Sequence, residues 1–250
     1  MAAEFSRDSI LSFITKQKDG STTYCRNVSQ LGENFRKILQ SIGSDERLQI
    51  LQIRDNVSFW TILQHAANNS DAETVEMILE CVSEDDERYI LLSAQDRHQF
   101  TSIHFASGNG DSRVLGLMIR LLKEETWYKL LQITNVMGFT PLHLSASCGH
   151  TQAIRTIADS LTAQHLLHLL RITNDYGTTP LQRAEYAGEH AAAELLRDYQ
   201  TKAPIDVALQ QADQTGSSSL HKRTLCTFSV SNFPSRPITV FDHSFYGVRL

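Results

Sequence analysis

The histidines of this 250-residue chain are the residues best suited to binding a metal ion. His165 and His168 lie three residues apart on a predicted helix, where two ligands could share one ion. No third Asp, Glu, His or Cys is placed nearby to complete such a site. The segment EHAAAE, residues 189–194, lacks the His-Glu-x-x-His order of a zinc helix, and we interpret it as a helix surface. The sequence predicts no metal site.

The sequence also contains no evidence of a catalytic nucleophile. The four cysteines lie more than thirty residues apart, and no activating base can be assigned to Cys25 or Cys148, so packing roles are predicted for both. The chain has no Gly-x-Ser-x-Gly elbow, phosphate-binding glycine loop or dinucleotide fingerprint. We therefore predict that the protein is not an enzyme and takes no cofactor or small-molecule substrate.

Charge and hydropathy limit the partners and the location. The net charge is −5, which gives no general attraction to nucleic acid or anionic membranes. No apolar run approaches the roughly 20 residues of a membrane span, and the N-terminus does not resemble a signal peptide. We predict a soluble intracellular protein of the cytoplasm, with the nucleus as the alternative location, and with no nucleic-acid or membrane partner.

The elements that would position any site are repeated along the chain. Segments beginning with threonine recur at spacings of 40, 39 and 39: TILQHAANNSD at 61, TSIHFASGNGD at 101, TPLHLSASCGH at 140 and TPLQRAEYAGE at 179. Each follows a second marker, which reads LQIRD at 51, LSAQD at 92, LQITN at 131 and LRITN at 170. A fixed period of this length indicates one supersecondary unit stacked several times. Four units are predicted from about residue 55.

The third of these units shows what the repeat encodes. Thr140 is a candidate helix N-cap, and Pro141 suits the first helical position. Gly149 is expected in the left-handed conformation just after this helix, and Gly138 in the preceding turn. A second helix follows with an apolar stripe. Each unit is therefore a turn, a short helix, a glycine and a second helix.

The stretches NVMGFTPLHLSASCGH, residues 135–150, and NDYGTTPLQRAEYAGE, residues 174–189, resemble the ankyrin repeat. The similarity covers residues 19–200 and is weaker in the first two units, where Gln99 replaces the turn glycine and the turn before Thr61 is one residue longer. It implies an all-α, ankyrin-type solenoid with short turns between repeats, whose motif histidines bond within and between turns. The motif positions are Thr101, His104, Gly110, Gly138, Thr140, Pro141, Leu142, His143, Gly149, Gly177, Thr179, Pro180, Leu181 and Gly188.

The period of 39 to 40 residues exceeds the roughly 33 of the family. The extra residues follow the second helix, and each insertion starts polar and ends apolar. We predict a short third helix, or a long extension, on the outer edge of each unit. Ser83 with Asp86 is predicted to form a capping box there, and Thr162 to be an N-cap.

The ends of the array are predicted separately. Residues 1–18 would form a cap helix, and residues 19–54 are either a degenerate fifth repeat or not a repeat. The array would end at residue 203, because Pro204 is expected to stop the last helix. Residues 204–250 are predicted to be a linker and a disordered tail; a strand added to a partner and the start of a further domain are the alternatives.

The resemblance implies a protein-binding scaffold or adaptor that uses its concave face. The alternative is a targeting or regulatory fragment of a larger signalling or enzymatic protein. The contact positions carried over from the family are Trp60, Arg97, His98, Phe100, Val136, Met137, Phe139, Asp175, Tyr176, Thr178 and Tyr186. Trp60, Phe100 and Phe139 occupy the same place in three successive turns, where they would either anchor a partner or pack between turns.

Overall fold

The computed structural model describes residues 28–55 and 58–214, and in these residues the chain forms helices and no strand. The helices are α1 (Val28–Ser41), α2 (Ser44–Leu51), α3 (Ile62–Asn68), α4 (Ala72–Glu80), α5 (Asp85–Leu92), α6 (Ser102–Gly108), α7 (Ser112–Arg120), α8 (Glu124–Leu131), α9 (Pro141–Ser147), α10 (Thr151–Ala158), α11 (Ala163–Leu169), α12 (Pro180–Ala187) and α13 (His190–Gln214). The predicted all-α solenoid is confirmed.

Each complete unit has three helices, as the insertions predict. The first helices α3, α6, α9 and α12 stack on one another, and so do the second helices α4, α7, α10 and α13. The third helices α5 and α8 also stack. Helix α1 packs on α4, and α2 packs on α5. Helices α1 and α2 are therefore the second and third helices of a further unit at the N-terminal side. The predicted cap helix, the start of that unit and the tail beyond residue 214 lie outside the described residues.

The first helices stack closely because their facing residues are small or slim. Ala66, Ala106, Ser145 and Ala184 share one position and are all buried. The leucine or isoleucine three residues earlier, which is Leu63, Ile103 or Leu142 in the three inner units, is completely enclosed. Leu181 takes this place in the fourth unit and is only half-buried, because no further unit covers it within the described residues. The core therefore runs as one continuous row through the units.

Eight equivalent positions, two in each unit, adopt a positive φ between 57° and 78°. They are Phe59, Gln99, Gly138 and Gly177 in the turns, and Ser70, Gly110, Gly149 and Gly188 between the first and second helices. Gly138 could not carry a side chain even without this conformation, since a Cβ would lie 2.6 Å from the backbone nitrogen of Asp175. The left-handed conformation predicted for Gly149 is confirmed.

The third helices also cap the second ones. In α5, Arg88 donates from Nε to the carbonyl oxygen of Leu79 at 3.2 Å and from Nη1 to that of Leu121 at 2.9 Å. These carbonyls belong to the ends of α4 and α7, which lack partners within their own helices. Arg47 makes equivalent bonds from α2 to the ends of α1 and α4. The insertions thus join each unit to the next.

The capping predictions at the third helices have mixed outcomes. Thr162 is the N-cap of α11 and accepts from the backbone nitrogen of His165, as predicted. The predicted box of Ser83 with Asp86 is wrong, because α5 begins one residue later, after Glu84, and has no side-chain cap. The acidic residues here serve the neighbouring unit instead. Asp85 accepts from the backbone nitrogen of Lys123, in the next unit, at 3.2 Å.

The prediction that Pro204 ends the last helix is also wrong, since α13 continues to Gln214. A proline removes only one backbone donor, and the residues on both sides favour helix. The helix is anchored before the proline, where Leu195 and Leu196 are buried and the Tyr199 hydroxyl donates to Asp159 at 2.6 Å. Within the described residues, α13 packs on both α10 and α11 and so closes the stack.

Candidate functional site

The turn tips are held by a side chain at the start of each turn. These side chains are Asp55, Asp96, Asn135 and Asn174, and all four are buried. Asn135 Oδ1 accepts from the backbone nitrogens of Met137 and Phe139, both at 3.0 Å. Asp96 and Asn174 make the same pair of bonds. The backbone of each tip is therefore fixed from inside, which determines which side chains point outward.

Adjacent tips are also bonded to one another. The backbone nitrogen of Val136 donates to the carbonyl oxygen of His98 at 3.1 Å, and that of Asp175 donates to the carbonyl oxygen of Met137 at 3.2 Å. These bonds connect the second, third and fourth turns in one row. The spacing between their exposed side chains is consequently set by the array itself.

The motif histidines fasten the first helices to the turns, as the family resemblance implies. His104 Nδ1 accepts from the backbone nitrogen of Thr101 at 3.1 Å, and Nε2 lies 3.0 Å from the Phe139 carbonyl oxygen of the next unit. Since a carbonyl only accepts, Nε2 carries a proton, and since Nδ1 accepts from an N–H group, it carries none, so the ring is neutral. His143 repeats this arrangement with Thr140 and Thr178. Burial lowers the pKa of both histidines to about 4.

The predicted aromatic row lies largely inside the protein. Phe100 is 9% exposed and Phe139 1% exposed. Trp60 is half-buried; its Nε1 donates to Asp96 at 2.9 Å, and its ring centroid is 4.5 Å from that of Phe105. The geometry favours packing between turns for all three. The assignment of Phe100 and Phe139 to a partner surface is therefore corrected.

Thr178 is likewise buried, and it is withdrawn from the partner surface for the same reason. Its hydroxyl donates to Asn174 Oδ1 at 2.9 Å, so the side chain completes the turn rather than facing outward.

The other predicted contact residues face outward or are only partly covered. Val136, Tyr176 and Tyr186 are 46%, 48% and 65% exposed. Arg97, His98 and Asp175 are also exposed, and Met137 is half-buried with its sulfur 3.9 Å from the Tyr176 hydroxyl. We call these seven residues the tip surface. It has apolar and aromatic groups at the third and fourth units, with Arg97 and His98 at the second.

Phe59 is a surface residue that the sequence analysis missed. It occupies the turn-glycine position of the first clear unit, with φ of 64°, and its side chain is 43% exposed. The guanidinium carbons of Arg54 and Arg97 lie 5.2 and 5.4 Å from its ring centroid. The missing glycine and the extra residue hide this register in the sequence, and only the recurrence of positive φ reveals it.

The pair of histidines first considered as metal ligands is bonded to neighbouring side chains. His165 Nδ1 is 2.9 Å from Glu124 Oε1, and His168 Nδ1 is 2.9 Å from the Tyr128 hydroxyl. Across the described part of the chain, no group of three or more His, Cys, Asp or Glu is arranged to hold a metal ion. In the same residues, every helix is too short or too polar to cross a membrane.

Comparison with known proteins adds one finding. A family model described as ankyrin repeats, in three copies, matches residues 103–211. This range starts in α6 and extends into the last turns of α13. No curated protein matches the chain.

Proposed function

Because the chain belongs to the ankyrin repeat family, we propose that it is a non-catalytic scaffold or adaptor that binds a protein partner through the tip surface. Ankyrin repeats are generally protein–protein interaction modules. The observation that carries the proposal is the group of exposed Val136, Tyr176 and Tyr186 side chains on the third and fourth units, whose tips are hydrogen-bonded to each other. Large exposed apolar and aromatic side chains on a rigid surface are suitable anchors for an interface.

The rigidity of the tips supports binding without a large loss of conformational entropy. Each tip backbone is fixed by its Asp or Asn, and the tips are joined by the hydrogen bonds from Val136 and Asp175. A surface that is already ordered loses little freedom on association, so more of the contact energy remains as affinity. The small, buried Ser145 and Ala184 let the first helices pack closely. This close packing keeps the face beside the tips rigid as well.

The proposal assigns no catalytic role to the chain. His104 and His143, which have the most strongly shifted imidazole pKa values, are buried and bonded between units. Their place in the stack supports a structural role. A location in the cytoplasm and the absence of nucleic-acid and membrane partners are proposed with it, from the charge and hydropathy of the sequence.

The test is affinity capture from cell lysate with the full chain and with a variant that carries Val136→Ala, Tyr176→Ala and Tyr186→Ala. The control is Ile90→Ala, because Ile90 is about as exposed as Val136 and Tyr176 but lies on the third helix α5. Circular dichroism melts establish that all three proteins are folded.

We expect a set of proteins that the wild type and Ile90→Ala retain and the triple variant loses. The capture must be repeated with purified candidates, whose dissociation constants should rise at least about tenfold for the triple variant. Equal retention by the folded triple variant would contradict binding through the tip surface.

A further inference from the structure

Phe59 combines two features that do not favour stability. Its backbone has φ of 64°, a region in which a residue with a side chain is strained and glycine is not. Its ring is 43% exposed, so burial does not offset that strain. At the same turn position, the third and fourth clear units have Gly138 and Gly177. A residue that is strained and exposed at once is a candidate for a role other than folding.

Gln99 provides an internal comparison, since it occupies the same position in the second clear unit. It has φ of 61° and is exposed as well. The backbone strain is therefore shared by two units, but the aromatic ring belongs to the first alone. Any role of the ring can be separated experimentally from the effect of the backbone.

Two arginine side chains lie close to the Phe59 ring. Arg54 is fixed there, because its Nη1 donates to the carbonyl oxygen of Phe59 at 3.1 Å and also to that of Gln95. Arg97 comes from the next turn, is exposed, and places its guanidinium 5.4 Å from the ring centroid. A guanidinium group that lies over an aromatic ring keeps N–H donors at its edge, and these can donate to a carboxylate.

The charge at this tip is opposite to that of the array as a whole. Residues 1–200 carry 18 Lys and Arg against 25 Asp and Glu. At the first and second tips, by contrast, the guanidinium groups of Arg54 and Arg97 lie at an exposed aromatic ring. The carboxylates of the same two turns, Asp55 and Asp96, are buried and accept hydrogen bonds from the backbone of their turns. Asp175 lies two units further along the tip surface, so the cationic end of that surface is the end next to Phe59. An acidic ligand would be attracted to this place and repelled by much of the remaining surface.

We propose that Phe59, Arg54 and Arg97 form a binding site for an acidic peptide segment of the protein partner. The inference rests on the proposed function and extends it by naming the chemistry and orientation of the partner. An apolar or aromatic side chain of the partner packs on the Phe59 ring, and its carboxylates bond to the arginines. The segment then continues along the tip surface toward Tyr176, which lies three units away, roughly 25–30 Å at the usual spacing of packed helices.

The test is selection from a library of displayed random peptides on the purified full chain. Peptides of about twelve residues span roughly 40 Å when extended, enough to reach from Phe59 to Tyr176. The affinities of the selected peptides are then measured for Phe59→Gly and Arg97→Glu. The matched controls are Gln99→Gly, which makes the same backbone change, and Lys129→Glu, which makes the same charge change on the exposed third helix α8.

We expect the selected peptides to be enriched in Asp and Glu relative to the starting library. Binding should weaken at least about tenfold in Phe59→Gly and Arg97→Glu and stay within about twofold in the two controls. The melting temperature of Phe59→Gly should be unchanged or raised.

Four results would overturn the inference. Selected peptides without acidic enrichment, or peptides that bind Phe59→Gly as well as the wild type, would reject the site; if they depend on Tyr176 and Tyr186, the proposed function stands. A melting temperature of Phe59→Gly far below that of Gln99→Gly would show that the ring supports the fold. A wild-type chain that selects no peptide would count against both the inference and the proposed function.

Discussion

Replacing His104 and His143 by glutamine should remove much of the acid sensitivity of the protein while leaving its stability at neutral pH nearly intact. Glutamine already fills this position in the first clear unit. There, Gln64 accepts from the backbone nitrogen of Thr61 at 2.7 Å and donates to the Phe100 carbonyl oxygen at 2.8 Å. These are the two bonds that each histidine makes, so the substitution retains them without a titrating group.

The magnitude follows from the pKa values. An unfolded histidine has a pKa near 6.5, and burial lowers the pKa of both folded histidines to about 4. Between these values the unfolded state binds more protons than the folded one, so stability is lost as the pH falls below 6.5. At pH 5 the loss is about 2 kcal/mol for each histidine, or about 4 kcal/mol for both.

The assay is urea unfolding followed by circular dichroism near pH 7.5 and near pH 5. Between the two, the free energy of unfolding of the wild type should fall by about 4 kcal/mol more than that of the double variant. His65 and the carboxylates titrate in both proteins, so their effects cancel in the comparison. Equal losses in the two proteins would refute the claim that His104 and His143 are held neutral by burial.

The remaining predictions concern single side chains, and each is measured by urea unfolding at neutral pH. Thr140→Ala should lower the free energy of unfolding by about 1–2 kcal/mol by removing an N-cap, and Thr140→Ser should restore most of it. Gln99→Gly should raise it by about 1 kcal/mol, because φ is 61° and the side chain is exposed; a decrease would contradict the strain. Phe139→Ala should lower it by about 3–5 kcal/mol and Tyr186→Ala by less than about 0.5 kcal/mol, and similar values would contradict the burial difference. Arg88→Met should lower it by about 2 kcal/mol and speed hydrogen exchange at the ends of α4 and α7, and unchanged exchange would contradict the capping role.

The parts of the fold that could be predicted from the sequence depend on local chemistry. Thr140 and Pro141 signal a helix start, and Gly149 signals the left-handed residue after it, because caps and positive φ restrict residue type within a few positions. The third helices were predictable from insertions that start polar and end apolar. The bonds of His104 and His143 follow from the family resemblance rather than from spacing alone.

The parts that could not be predicted depend on neighbouring units. Phe100 and Phe139 stand at positions that the resemblance assigns to partner contact, but both are buried. Phe100 stacks on Phe105 of its own unit, whereas Phe139 lies against Tyr176 and Arg183 of the next unit. A repeat motif does not encode these packing partners. The register of Phe59 is hidden because its turn lacks the glycine that marks the other turns. Pro204 is a strong local signal for a helix end, and the helix that continues past it shows that one lost bond does not outweigh a favourable sequence on both sides.

One position in the third helices shows how the end of a neighbouring helix determines residue type. It is Arg47 in α2, Arg88 in α5, Trp127 in α8 and Leu166 in α11. The arginines donate to carbonyls where a second helix of the next unit ends, and Trp127 donates to the Ser160 hydroxyl just after α10 ends. The second helix that packs beside α11 is α13. Because α13 continues past this point, its carbonyl groups there are bonded within the helix. A side-chain donor at this position would have no backbone acceptor in α13, and the position is occupied by the buried, apolar Leu166. A side-chain donor therefore stands at this position in the three third helices whose neighbouring second helix ends beside them, and an apolar residue replaces it where the neighbouring helix continues.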